Sequence, residues 1–145
     1  MSGPTLRPAA VGDAADIHVL MLKLAGDIPV AVETLEQEEA LYAALRKILA
    51  FGQSWVSLAG EAVVGFALVD SAEVGRHWGE NELLNLRYAA GEGLDALIGK
   101  VLDRKVPVAA GVRDANRTGL AARLEALGFR QTASPLGEQR FQYEP

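Results

Sequence analysis

The chain has 145 residues, half of them hydrophobic, with no cysteine and a formal net charge of −5. This length suits a single domain spanning 1–145 with one core. The absence of cysteine excludes a disulfide framework, a thiolate nucleophile and a cysteine metal site, and the negative charge argues against sequence-independent binding to nucleic acid or to an anionic membrane.

Thr5 to Pro8 reads as a short edge strand, because proline cannot donate to a central ladder. Gly12 and Asp13 open a helix striped by Ile17, Leu20, Met21 and Leu24, and Gly26 and Pro29 break it. His18 lies off that stripe and is expected to be exposed. Thr34 followed by Gln37 is a capping box, and Leu41, Leu45, Ile48 and Leu49 stripe a second helix that ends near Gly52. The runs 55–59 and 62–70 flank a tight Gly60-Glu61 turn and form a hairpin. A polar loop over 71–81 leads to a fourth strand, Glu82 to Tyr88. After Gly91 and Gly93 comes a helix striped by Leu94, Leu97, Ile98, Val101 and Leu102, then a strand over 106–112. A last helix from Asn116 to Leu127 and two strands around a Pro135 to Gly137 turn complete the chain. The order β, α, α, β, β, β, α, β, α, β, β implies a mixed α/β sheet with helices on both faces. No apolar run reaches bilayer length, and MSGPTLRP lacks a basic stretch before an apolar one, so a cytoplasmic location is expected.

Two segments carry chemistry. In Tyr88 to Ile98, YAAGEGLDALI, glycines let main-chain N–H groups point at an anion, and the positive end of a helix dipole follows. The alternative reading is a plain helix-opening turn. In 112–130, VRDANRTGLAARLEALGFR, Asp114 or Asn116 caps a helix striped by Leu120, Leu124 and Leu127, and Gly128 supplies its left-handed stop.

On these segments the chain resembles the GCN5-related N-acetyltransferase (GNAT) superfamily, and the resemblance runs over nearly the whole element order. It implies the acyl-CoA N-acyltransferase fold: a mostly antiparallel central sheet in which parallel strands 4 and 5 splay apart. It also implies acetyl-CoA as acyl donor and a small-molecule amine or protein amino group as acceptor. By the resemblance, Gly91 and Gly93 fall on the glycines of the diphosphate loop, with Arg87, Tyr88 and Leu94 flanking them, and Leu86 supplies main-chain groups to the donor. Asn116 matches the asparagine at the last helix and Arg117 lies beside it; Arg113 and Arg117 are candidates for phosphate. Two positions depart from the family pattern: Tyr88 stands where Gln or Arg is usual, and Leu124 stands where the family often has a proton-donating tyrosine. Glu92 sets a carboxylate inside the loop.

Direct transfer to an amine needs a base for the amine proton and an acid for the departing thiolate. Glu82 at the head of the fourth strand is the first candidate for base, with Glu80 second; His77 beside Trp78 could line an entrance. Tyr88 is the candidate acid if its side chain faces the cleft. No metal site is expected from two histidines far apart in the chain, and no G-x-S-x-G elbow is present. The rival reading is a domain that keeps the fold and binds an acyl-CoA or a partner without turnover. An exposed C-terminal strand pair suits a homodimer.

Overall fold

The computed structural model describes residues 3–71 and 83–145. In chain order these form β1 (Thr5–Pro8), α1 (Ala14–Lys23), α2 (Leu35–Phe51), β2 (Trp55–Ala59), β3 (Ala62–Ser71), β4 (Leu84–Gly91), α3 (Leu94–Leu102), β5 (Val108–Arg113), α4 (Leu120–Ala126), β6 (Arg130–Ala133) and β7 (Glu138–Tyr143). The strands make one seven-stranded sheet in the order β1-β2-β3-β4-β5-β7-β6. Neighbours run antiparallel except β4 and β5, which are parallel.

Each face of the sheet has its own helical layer. On one, Ile17 and Met21 of α1 and Leu45 and Ile48 of α2 bury against Phe66, Leu68 and Ala90. On the other, Leu97 and Ile98 of α3 and Leu120 and Leu124 of α4 bury against Ala67, Leu86, Val108 and Phe141. Burial of such side chains contributes roughly 1.5–3 kcal/mol each, so these two layers hold the strands that frame the site.

Local chemistry explains the helix ends. Thr34 Oγ1 accepts from the Gln37 N–H at 3.1 Å and Gln37 Oε1 accepts from the Thr34 N–H at 3.3 Å, the reciprocal cap expected for α2, which stops at Gly52 with φ 84°. Ahead of α1, Asp13 is buried and takes both Arg7 guanidinium nitrogens at 2.8 Å, and one of its oxygens also accepts from the Ala10 N–H at 2.8 Å. The hydrogen bonds from Arg7 hold the Asp13 carboxyl below its ordinary value, and the same contact raises Arg7.

Three expectations are corrected. The last helix begins at Leu120 rather than Asn116, because Gly119 has φ 75° and Asn116 Oδ1 is engaged by the N–H and hydroxyl of Thr118 in a side-chain turn. β4 runs on to Gly91 instead of stopping at Tyr88, since Gly91 still pairs with Gly65 of β3. His18 is half-buried with its ring edge against Tyr42, the centroids 5.6 Å apart, rather than exposed.

Candidate active site: the cleft between β4 and β5

The parallel ladder between β4 and β5 is short. It joins Leu84 to Val108, Asn85 to Ala109 and Leu86 to Ala110, and goes no further, although β4 continues to Gly91 and β5 to Arg113. Beyond Leu86 and Ala110 the strand edges part. Both edges carry N–H and C=O groups at full strand spacing with no strand across the gap to receive them, an arrangement that an extended ligand with amide groups can complete.

A bulge in β4 shapes this gap. Leu68 pairs with Tyr88 and Val69 with Leu86, so Arg87 has no opposite residue on β3. The extra residue reverses the alternation of faces. Leu86 and Ala89 join the core under α3 and α4, whereas Tyr88 and Ala90 turn to the layer under α1 and α2. A cavity of about 260 Å³ opens here, lined from both faces by residues that include Phe66, Leu86, Tyr88, Gly111, Asn116 and Leu120. Its rim is capped by Ile28 and Pro29 of the segment after α1, and that segment is tied across the cleft by the Arg117 N–H, which donates to the Asp27 carbonyl at 2.7 Å.

The polar groups facing the cavity are few and of distinct kinds. Tyr88 is half-buried and its hydroxyl makes no hydrogen bond among the described residues. The Thr118 N–H at 2.9 Å and the Thr118 hydroxyl at 2.7 Å both donate to Asn116 Oδ1, and the Nδ2 donor of this cavity-lining amide has no partner among the described residues. Arg87 is exposed and lies 4.0 Å from Asp70, a weak pair. Arg113 at the end of β5 is without an ion pair among the described residues. Glu138 at the head of β7 lies over Gly111, in the space a Cβ there would need, and its Oε2 accepts from Arg140 Nε at 3.3 Å.

Sequence reasoning missed Glu138 and Asn85, which also lines the cavity. Glu138 reaches the site only through the pairing of β7 with β5, where it stands opposite Arg113, and that long-range register leaves no local trace. Glu82, Glu80, His77 and Trp78 lie outside the described residues. Leu124 is fully buried in the core, consistent with its place in the apolar stripe.

The glycine turn packs closely on β2 and β3. Gly91 is still in the β3–β4 ladder, with φ 93°, and a Cβ on it would overlap the Val64 carbonyl and come within 2.6 Å of Gly65 Cα. The Glu92 N–H donates to the Val64 carbonyl at 2.9 Å, and the Glu92 carbonyl accepts from the Ser57 hydroxyl at 2.6 Å. Gly93, φ 74°, faces Pro4, whose Cγ lies 3.0 Å from where its Cβ would be. These glycines therefore allow close backbone approach to β2 and β3, and no side chain caps the start of α3 at Gly93. Glu92 is exposed in the turn and Asp95 follows in the first turn of α3, paired with Arg123 at 3.0 Å, so two carboxylates crowd this helix start. Gly91, Gly93, Leu94 and Arg117 stay out of the cavity wall; Leu94 packs on the core, and the Arg117 N–H is engaged by Asp27. Leu86, Arg87, Tyr88 and Asn116 are brought together in it.

No protein-family model and no curated protein matches the sequence. Solved structures do match over nearly the full chain. An acetyltransferase of the GNAT family from Streptococcus agalactiae 2603 superposes with a TM-score of 0.71 at 13% identity, covering 97% of this chain and 95% of that one. The chain has the GNAT fold. The same holds against the Drosophila melanogaster polyamine N-acetyltransferase that forms N-acetylagmatine, with a TM-score of 0.70, 14% identity and coverage of 97% and 99%. PaiA N-acetyltransferase from Thermoplasma acidophilum, solved in complex with coenzyme A, gives a TM-score of 0.64 at 12% identity over 100% of both chains. The seven-stranded sheet with its parallel β4 and β5 is the GNAT arrangement expected from the element order. No described helix is long and apolar enough to cross a membrane, and among the described residues no group of three acidic or histidine side chains is placed to hold a metal.

Proposed function

We propose that this chain is an N-acyltransferase that moves an acyl group from a thioester in the β4–β5 cleft to an amine entering past Glu138. The observation that carries the reading is the end of the β4–β5 ladder at Leu86 and Ala110, with a cavity at the gap. An extended thioester arm would lie along the unpaired edges of 87–89 and 111–113. The thioester end of acetyl-CoA suits that slot, and acetyl is the acyl group to assay first.

Within this reading Glu138 accepts the proton of the attacking amine, directly or through one water, and Glu82, ahead of β4 in sequence, is the alternative base. The amine nitrogen bonds to the carbonyl carbon, and the carbon–sulfur bond breaks. Asn116 Nδ2 donates to the carbonyl oxygen as its charge grows, and the Tyr88 hydroxyl gives its proton to the departing thiolate. Arg87 and Arg113 keep the rim cationic. Direct transfer is preferred to an acyl-enzyme because the chain has no cysteine. The acceptors named for relatives of this fold, agmatine and polyamines among them, make a first panel of small amines; protein amino groups make the second.

Thiol release from acetyl-CoA across such a panel tests the reading. Turnover should rise above the rate without protein and fall at least tenfold in Glu138→Gln. A second reading, a binding domain without turnover, is favoured by the buried, apolar Leu124. Saturable binding with no thiol release from any amine would select it.

A further inference from the structure

The face of the sheet that carries α1 and α2 is covered over only part of its width. That core layer takes Val56, Phe66, Leu68 and Ala90 from β2, β3 and β4, and no residue of β5 or β7 belongs to it. On β5 the buried Val108, Ala110 and Val112 turn to the α3 and α4 layer, so Gly111 and Arg113 face the other way, into the cavity wall. Phe141 of β7 joins the same buried layer, which sets Glu138 and Arg140 beside Gly111 and Arg113.

The charges that meet here do not balance. Glu138 is the cross-strand neighbour of Arg113, their Cα atoms about 5 Å apart. Its Oε2 nevertheless accepts from Arg140 Nε on its own strand, and Arg113 is left without a carboxylate among the described residues. Arg87 adds a second cation to the wall, in weak contact with Asp70 at 4.0 Å. A polycation gains nothing from such a wall. A carboxylate gains a guanidinium that can hold both its oxygens.

We propose that the acceptor is a free amino acid, whose carboxylate pairs with Arg113 while its amine is presented to Glu138. Resting on the transfer reading above, this names the acceptor class. Because the two binding residues are cross-strand neighbours, the groups they hold must lie a few bonds apart. An α-amino acid meets that demand. A polyamine has no carboxylate, and at a protein amino terminus the α-carboxyl is tied up in a peptide bond.

The test uses acetyl-CoA as donor and compares leucine, glutamate and arginine with their α-amides and with agmatine. An α-amide lowers the pKa of the neighbouring amine and leaves more of it neutral, so reactivity alone favours the amide, and a preference for the acid reports recognition. We expect kcat/KM for the best acid at least tenfold above that for its amide and for agmatine. Arg113→Gln should raise KM for the acid at least tenfold with kcat within threefold, and leave the amide unchanged; Arg113→Lys should give an intermediate KM. An amide or agmatine used as well as the acids, or a loss in Arg113→Gln shared equally by acid and amide, overturns the proposal and leaves transfer standing. If no amine releases thiol, the transfer reading fails, and calorimetric titration of the acids and amides decides the ligand class alone. An acid bound at least tenfold tighter than its amide, with the difference lost in Arg113→Gln, supports the pairing with Arg113. Equal affinities, or no binding of any acid, sink it.

Discussion

The cleft and the turn that follows it are built from one strand, and they meet their neighbouring strands in opposite ways. At Leu86 the β4 edge loses its partner and stays open toward β5. Five residues later, at Gly91, the same strand is pressed onto β3 so closely that only glycine fits. A glycine pair before a helix is thus two signals in one: room for an anion, or room for another backbone. The backbone that takes that room here is Gly65, far away in sequence, and the Ser57 hydroxyl holds the Glu92 carbonyl from β2.

The largest expected effect attacks the closed side. Gly91→Ala meets both a left-handed φ of 93° and the Val64 carbonyl, so unfolding free energy should drop by about 3 kcal/mol or more. Urea denaturation reads it directly. A loss under about 1 kcal/mol would mean that the turn is open enough to rearrange and the contrast with the cleft is weaker than drawn here.

On the open side, Tyr88→Phe keeps the ring and removes the one proton. Turnover should fall about hundredfold, near 2.7 kcal/mol in the barrier, with stability nearly unchanged because the hydroxyl has no partner among the described residues. A tenfold rise in KM at constant kcat would make Tyr88 a binding residue and move the acid elsewhere.

Much of the frame around this contrast was legible. The Thr34–Gln37 box, the stripes of all four helices and the Gly60-Glu61 turn are local signals, and each does what its chemistry demands. The site was harder to read for a physical reason. One unpaired residue, Arg87, reverses the faces of β4, and nothing in LNLRYAAG announces where a bulge falls. Glu138 needs the β5–β7 register, and the closed turn needs Gly65 beside Gly91; both are long-range pairings. Asn116 was placed correctly beside the cleft but not as the first residue of a helix, because Gly119 delays α4.

A smaller effect concerns the Arg7–Asp13 contact ahead of α1. Asp13→Asn should cost about 2 kcal/mol at pH 7, since it loosens a two-pronged contact with Arg7 and the bond from Ala10. Because the Asp13 pKa is lowered in the folded chain, its contribution is complete above the ordinary carboxylate value of 3.8 and fades as pH drops through the lowered one. The stability gap between wild type and variant should therefore narrow as pH falls through that lowered value. A gap that stays constant with pH would show that packing, not charge, carries the contact.

The central claim is that the gap past Leu86 and Ala110 is where the thioester arm lies. Gly111 borders that gap with an ordinary φ, and the nearest atoms to a Cβ there belong to the flexible Glu138 side chain, so Gly111→Leu should fold and fill the cavity. Calorimetric titration of pantetheine into wild type and Gly111→Leu is the direct measurement. Affinity at least tenfold weaker in the variant, with both proteins equally folded, is the expected result. Equal affinity in the two would place the ligand elsewhere and contradict the account.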